Sequence, residues 1–344
     1  MNGRAAADLR SIDPASIKGA GPAGFAQAVA VDCQPVLLPG LCRDWPAVEA
    51  GERGWAALST YVARFDAGRS GQAFVGAPAI GGRYDYGDGP DGFNFERVSL
   101  TLAQSLARIG EAAADPSLAS VYMGSLSADD YAPGFAADNP IDVLPPLARP
   151  RLWLGNASRV ACHYDTFDNL ACVVAGRRRF TLYPPDAIGD LYVGPIDHTL
   201  AGQPISLAAG AAPGDGRYPR FAAAAARAIV VELEPGDALY LPKLWWHQVE
   251  AMEPANLLVN YWWDGFAAGP DAPYVAMMLA MITIAERPAP ERRAWRAFFD
   301  HYVFREQGHP LAHLPAERHG LLGPLAGGNY GRIRALVMKL LRGG

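Results

Sequence analysis

Three residues of this chain have the types and spacing to hold a metal ion: His163 and Asp165, separated by Tyr164, and the distant His247. Two imidazoles and one carboxylate form the ligand set that grips non-haem Fe(II) on one side and leaves the opposite positions open for substrate and O₂. The short spacing has a geometric reason. In a β-strand, residues i and i+2 point to the same face. His163 and Asp165 on one strand would reach one ion together, with Tyr164 turned away. His247 must come from another strand. It lies in the apolar, aromatic stretch from Leu239 to Glu250, which reads as strand, turn and strand. An isolated HxD triplet is a weak signal, because a histidine in an apolar strand is more often a hydrogen-bonded core residue. Here the triplet sits among strand-like segments, and a second histidine follows at the distance expected for the far side of a small barrel.

The elements that must position these residues follow from periodicity and punctuation. Residues 1–118 read as an N-terminal α/β region. It holds a short strand over Gln34–Gly40, a helix over Trp55–Phe65, a loop over Gly81–Gly92, and a helix over Ser99–Ile109 with Ser99 as N-cap. From 119 to 264 the pattern changes to short strands. They are expected at Ser120–Met123, Arg151–Leu154, Val160–Asp165, Leu170–Val174, Arg179–Tyr183, Ala228–Leu233, Ala238–Leu241, Gln248–Ala251 and Asn256–Trp263. Turn residues such as Gly176, Pro184-Pro185 and Pro235-Gly236 separate them. Many short strands at close spacing point to a sandwich or barrel. Residues 184–227 interrupt the pattern as a long insert ending in an Ala-rich helix, Phe221–Arg227; inserts on a barrel rim often shape substrate access. Residues 265–344 read as helical. Met277, Met278, Met281 and Ile282 are apolar on one helix, Trp295, Phe298, Phe299 and Tyr302 on the next, and Ile333, Leu336, Val337, Leu340 and Leu341 on the last. These stripes serve either packing onto the barrel or a homodimer interface.

Half of the residues are hydrophobic and 19% are charged, so a sizeable core needs no disulfides. The net charge of −5 argues against a general nucleic-acid surface, which needs a basic stripe. Cys33, Cys42, Cys162 and Cys172 are scattered without a CxxC and read as reduced thiols. Cys162 adjoins His163 but should point to the opposite face. The first residues lack a signal-peptide core, and the apolar run Tyr274–Ile284 is too short to cross a bilayer. The expectation is a cytoplasmic protein with no membrane partner.

Three stretches carry a resemblance: VACHYD ending at Asp165, GRRRFTLYPPD ending at Asp186, and LEPGDALYLPKLWWHQVE ending at Glu250. Together they resemble the JmjC/cupin-like Fe(II)- and 2-oxoglutarate-dependent oxygenases, in the branch of the factor-inhibiting-HIF asparaginyl hydroxylase. The likeness runs from about Val31, through Asp44-Trp45-Pro46, to about Trp263. It implies a mainly β fold with α appendages: a double-stranded β-helix, the jelly-roll or cupin barrel, with N-terminal α/β elements and C-terminal helices. It also implies Fe(II) held by His163, Asp165 and His247, with 2-oxoglutarate as co-substrate and O₂ as oxidant. Carried over position by position, Arg178 stands where this branch usually has a lysine for the distal carboxylate of 2-oxoglutarate. A guanidinium can grip a carboxylate through two nitrogens. Arg177 and Arg179 should face away from it. Tyr122 matches a tyrosine that supports the same carboxylate, and Asn169 and Asn260 match amides near the other end of the co-substrate. Asn169 lies six residues after His163, so one continuous strand would put both on one face. The position three before the first ligand commonly holds a threonine that bonds 2-oxoglutarate; here it is Val160. Gln203 falls near a position that holds the substrate amide. Trp245, Trp246, Trp262 and Trp263 fall near the site and are mostly expected in the core.

Two other classes stay open on the sequence. One is a metal-binding cupin-like protein without 2-oxoglutarate turnover, in a binding or regulatory role; Val160 and Arg178 are its supporting features. The other is a different enzyme on the same barrel, such as a cofactor-independent dioxygenase or an isomerase. The prime substrate is not legible. A protein or peptide side chain is favoured, with a small molecule as the alternative.

Overall fold

The computed structural model describes residues 9–85, 87, 92–197, 199, 202–212, 214–267 and 269–343. The start of the chain, expected to lack a signal-peptide core, and part of the expected loop 81–92 lie outside the described residues.

The chain divides into two compact units, Met1–Gly265 and Phe266–Gly344. In the first, the described strands form two sheets. One runs in the order Ile229–Leu233, Arg178–Tyr183, Trp246–Ala251, Ser158–His163, Arg83–Tyr84. The other has Ala238–Leu241, Asp168–Ala175, Asn256–Trp263, Pro150–Gly155 and Ser120–Ser127 as consecutive neighbours. Strands from the N-terminal region extend this second sheet on both sides: Arg10–Ser11 and Val36–Leu38 at one edge, Ser70–Gly76 and Glu96–Thr101 at the other. From Pro150–Gly155 onward the strands alternate between the sheets, as in a jelly roll, except that Arg178–Tyr183 and Ile229–Leu233 follow each other within one sheet. The fold is thus mainly β with α appendages.

Burial explains why these segments are strands. Every residue of Asp168–Ala175 and of Ala238–Leu241 is buried, so Leu170–Ala175 and Ala238–Leu241 read as unbroken apolar runs rather than alternating ones. Behind the larger sheet, helices Pro46–Glu52, Trp55–Ala63 and Leu102–Ala114 contribute Val48, Leu58, Val62, Leu106 and Ile109 to one core with Leu152, Leu154 and Val259. A second core, including Phe180, Leu182, Val231, Leu239 and Trp245, joins the two sheets.

Two local expectations need correction. The helix expected from Ser99 starts later. Glu96–Thr101 is a strand paired with Ser70–Gly76, and the helix is Leu102–Ala114. Thr101, not Ser99, is the cap: its hydroxyl accepts from Gln104 N–H, and the Gln104 side chain accepts from Thr101 N–H. This reciprocal pair satisfies two donors that the first turn leaves open, and it outcompetes a lone serine upstream. The strand expected over Val160–Asp165 stops at His163. The chain then crosses to the other sheet and resumes pairing at Asp168, so His163 and Asn169 do not share one continuous strand.

The second unit holds the helices Pro273–Ile284, Ala289–Phe299 with a wider turn over Asp300–Phe304, and Asn329–Leu341. Asp271 ties its start to the last helix by accepting from Tyr330 Oη and pairing with Arg334 Nε at 2.9 Å. Among the described residues no helix is long and apolar enough to cross a membrane.

Candidate active site

His163 ends the strand Ser158–His163, and His247 is the second residue of Trp246–Ala251. The two are register partners, with ring centroids 4.3 Å apart. Asp165 arrives by a different route from the one its spacing suggested. It lies past the strand end, where its carbonyl accepts from Leu244 N–H at 2.8 Å. That bond fastens the segment after His163 to the loop before His247. The Asp165 carboxylate comes to 3.7 Å from His247 Nε2. One ligand atom from each of the three residues lies within 4.8 Å of the others.

Each imidazole is aimed by its own backbone. His163 Nδ1 lies 2.8 Å from Ala161 O, and His247 Nδ1 lies 3.0 Å from Trp245 O. A carbonyl only accepts, so Nδ1 carries the proton in both rings and Nε2 keeps the lone pair that a metal takes. Burial, reinforced by the neighbouring His163, pushes the His247 imidazole down to about 4. It is therefore neutral near pH 7. Cys162 faces the opposite way, into a cluster with Tyr164, Tyr183 and Trp246. Burial pushes its thiol up, far from the reactive thiolate form.

The three residues stand on the wall of a cavity of about 570 Å³ between the two sheets. Arg178, Tyr122, Asn169 and Asn260 line the same cavity, as do Val160 and Gln203. Val160 is three residues from His163, and strict alternation would turn it away. A bulge resolves this: two steps from His247 to Val249 face three steps from His163 to Val160. The extra residue lets Val160, Ala161 and His163 share one side. The insert contributes too. Ser206 N–H donates to Cys162 O at 2.7 Å, and Ile205 bridges to His163, which brings Gln203 to the wall.

Arg178 opens the strand Arg178–Tyr183 and is only 4% exposed. Its neighbours alternate outward. Arg177 pairs with Glu253 at 2.9 Å and Arg179 with Glu232 at 2.7 Å. Arg178 has no such partner among the described residues, and its buried Nε lacks any hydrogen-bond acceptor. Burial pushes its guanidinium down to about 10. Burial also pushes the Tyr122 phenol up, so it remains a neutral O–H. The amides form a chain: Trp153 Nε1–H donates to Asn260 Oδ1 at 2.6 Å, and Asn260 Nδ2–H donates to Asn169 Oδ1 at 3.1 Å. Of the four tryptophans expected nearby, Trp245, Trp246 and Trp263 are buried, while Trp262 lines the cavity.

The aromatic part of the wall was not legible in the sequence. Phe74 and Phe95 stack at 4.4 Å, Tyr84 meets Phe95 edge-on, and Arg97 lies 5.5 Å from the Phe74 ring centre. These residues come from the N-terminal region. Alternation along Ser70–Gly76 was the available signal, but nothing local said which face met the cavity. Trp153 was also missed; it sits between the core residues Leu152 and Leu154 in the strand Pro150–Gly155.

Comparison with known proteins gives the family and several partial matches. The model of the cupin-like domain matches residues 22–269. The chain is 35% identical over 124 residues to "Lysine-specific demethylase JMJ31" of Arabidopsis thaliana, which covers 34% of this chain and 21% of that protein. It is 31% identical over 151 residues to human "HSPB1-associated protein 1", covering 42% and 30%. It is 32% identical over 131 residues to human "Bifunctional peptidase and (3S)-lysyl hydroxylase JMJD7", covering 33% and 40%. The chain thus matches well under half the length of each of these relatives.

Proposed function

The chain belongs to the JmjC/cupin-like family, and on that premise we propose that it is an Fe(II)- and 2-oxoglutarate-dependent dioxygenase that hydroxylates a protein or peptide side chain. The observation that carries this reading is the joint occurrence, on one cavity wall, of a compact His163/Asp165/His247 donor set and an unpartnered buried Arg178. A buried cation without a counter-charge is costly and is expected where an anion binds. The donor set suits Fe(II), and the guanidinium suits a dicarboxylate. The residues therefore fit the groups that the family implies.

In this reading His163, Asp165 and His247 would hold the metal. Arg178 and Tyr122 would anchor the distal carboxylate of 2-oxoglutarate, with Asn169 and Asn260 near its other end. Bound together, the metal and co-substrate would let O₂ act as the oxidant: one of its oxygen atoms would enter an unactivated C–H bond of the substrate and the other the succinate formed as 2-oxoglutarate loses CO₂. The chain positions, shields and orients. Val160, Phe180, Val249 and Leu258 make the wall dry, which strengthens the Arg178–carboxylate attraction. Peptide-sized access is supported by the cavity's wall from the insert and by relatives named for lysine side chains.

The second reading is a metal-binding cupin-like protein without 2-oxoglutarate turnover. Val160 supports it, since a valine supplies no hydrogen bond to a carboxylate. The deciding experiment is titration of 2-oxoglutarate into the anaerobic Fe(II) protein. A weak visible charge-transfer band that His163→Ala abolishes supports the oxygenase; iron bound with no band supports the second reading.

We further assign the C-terminal helices to homodimerisation, the compartment to the cytoplasm, and the domains to 1–118, 119–264 and 265–344. The helix Pro273–Ile284 is apolar all round and has no buried residue, a composition suited to burial in an assembly. The four cysteines are free, which suits a reducing compartment.

A further inference from the structure

We propose that Trp153 is a positioning residue: its indole N–H fixes which way the amides of Asn260 and Asn169 face, and so presents a donor of Asn169 to an anionic ligand in the cavity. A side-chain amide has two faces, O and NH₂, which a half-turn exchanges. Nothing in an Asn–Asn pair alone selects one direction. An indole nitrogen removes the ambiguity, because it only donates. Asn260 Oδ1 must face Trp153, and does so at 2.6 Å. Asn260 Nδ2 then faces Asn169, which must answer with Oδ1, at 3.1 Å. What remains to Asn169 is Nδ2–H, for which the described residues offer no acceptor.

Packing holds the relay in place. The Trp153 ring meets Trp262 edge-on at 5.7 Å and lies against Tyr122 at 6.4 Å. Asn260 is 2% exposed and Asn169 7%, so water competes little for these bonds. Trp262 stands opposite Asn169 in register and adds a buried indole N–H that also lacks an acceptor among the described residues. Without the Trp153 N–H the two directions of the relay become comparable in energy. In the reversed one, Asn169 turns Oδ1 to the cavity and repels a carboxylate.

The ligand's identity as 2-oxoglutarate rests on the oxygenase reading; the direction of the relay does not. Two variants test it. Trp153→Phe removes the N–H and keeps an aromatic ring. Asn260→Asp still accepts from Trp153 but offers Asn169 an acceptor, which forces Asn169 to reverse. Calorimetric titration of 2-oxoglutarate into the anaerobic Fe(II) protein should show about tenfold weaker binding for Trp153→Phe, the size of one charge-assisted hydrogen bond. Binding should be weaker still for Asn260→Asp. Iron stoichiometry and melting temperature serve as controls for folding. In parallel, ¹⁵N spectra should show the Asn169 Nδ2 resonances, assigned with Asn169→Ala, moving in Trp153→Phe without ligand. Equal 2-oxoglutarate affinity in wild type and Trp153→Phe would overturn the proposal. If the wild type binds no 2-oxoglutarate, the oxygenase reading fails and the amide spectrum decides alone: resonances that move support the relay, and resonances that stay put overturn it.

Discussion

His163 and His247 face each other as register partners across two antiparallel strands, and each is held by a carbonyl two residues behind it. The consequence is a pair of imidazoles whose Nδ1 atoms are held by the backbone and whose Nε2 atoms are left for the site, set before any metal arrives. Asp165 completes the set through a backbone bond to Leu244 rather than through strand geometry. A site organised this way should bind metal with little rearrangement.

Removing either imidazole should therefore remove the metal and little else. His163→Ala and His247→Ala are expected to lose at least a hundredfold in Fe(II) affinity, read by metal analysis after gel filtration. Retention of stoichiometric iron by both variants would refute the assignment of this pair.

Arg178 should trade stability for binding. Its folded-state value of about 10 lies below the ordinary 12.5, so folding works against the charged form at every pH below about 10. The cost is on the order of 3 kcal/mol. Arg178→Met should thus raise the melting temperature of the ligand-free protein by a few degrees while abolishing 2-oxoglutarate binding and leaving iron bound. A lower melting temperature, or unchanged affinity for 2-oxoglutarate, contradicts the role given to Arg178.

Ligands that select the folded cavity should stabilise it. Mn(II) with 2-oxoglutarate, each at about a hundred times its dissociation constant, should add about 2.7 kcal/mol per bound ligand. Differential scanning fluorimetry in the presence and absence of a chelator reads this directly. An increment from 2-oxoglutarate that persists without metal would separate the two binding events.

The C-terminal helices offer a test at positions with no packing to lose. Ile282 is 81% exposed and Leu340 66%. Ile282→Glu with Leu340→Glu should convert a dimer to a monomer in light scattering, with iron content unchanged. A wild type that is monomeric at every concentration would remove the dimer from consideration.

The cap at Thr101 carries a smaller prediction. Thr101→Ala removes one half of the reciprocal bond with Gln104 and should cost about 1 kcal/mol. Ser99→Ala, in the strand, should cost less. The reverse order in thermal melts would restore the earlier cap.

Much was readable without coordinates because it depends on local chemistry. The strands Ala238–Leu241 and Asn256–Trp263 match their expected bounds, since turn residues bracket apolar runs on both sides. The outward turn of Arg177 and Arg179 around Arg178 follows from alternation within one strand. The candidate metal-ligating trio His163, Asp165 and His247 was singled out from residue type and spacing, and the JmjC/cupin-like family from its motifs.

Where alternation met a bulge or a strand end, local reasoning failed. Asp165 reaches the site although its strand stops at His163, and Val160 shares the His163 face only because of an extra residue in the ladder. Asn169 lines the cavity from the opposite sheet, not along one strand with His163. By itself the sequence determined which side chains are chemically suited to a site and the period of the elements that bear them. The tertiary structure alone decided which faces meet. Pairing partners, bulges and the aromatic wall from Phe74, Tyr84 and Phe95 are set by contacts between segments far apart in the chain, and no window of neighbouring residues contains that information.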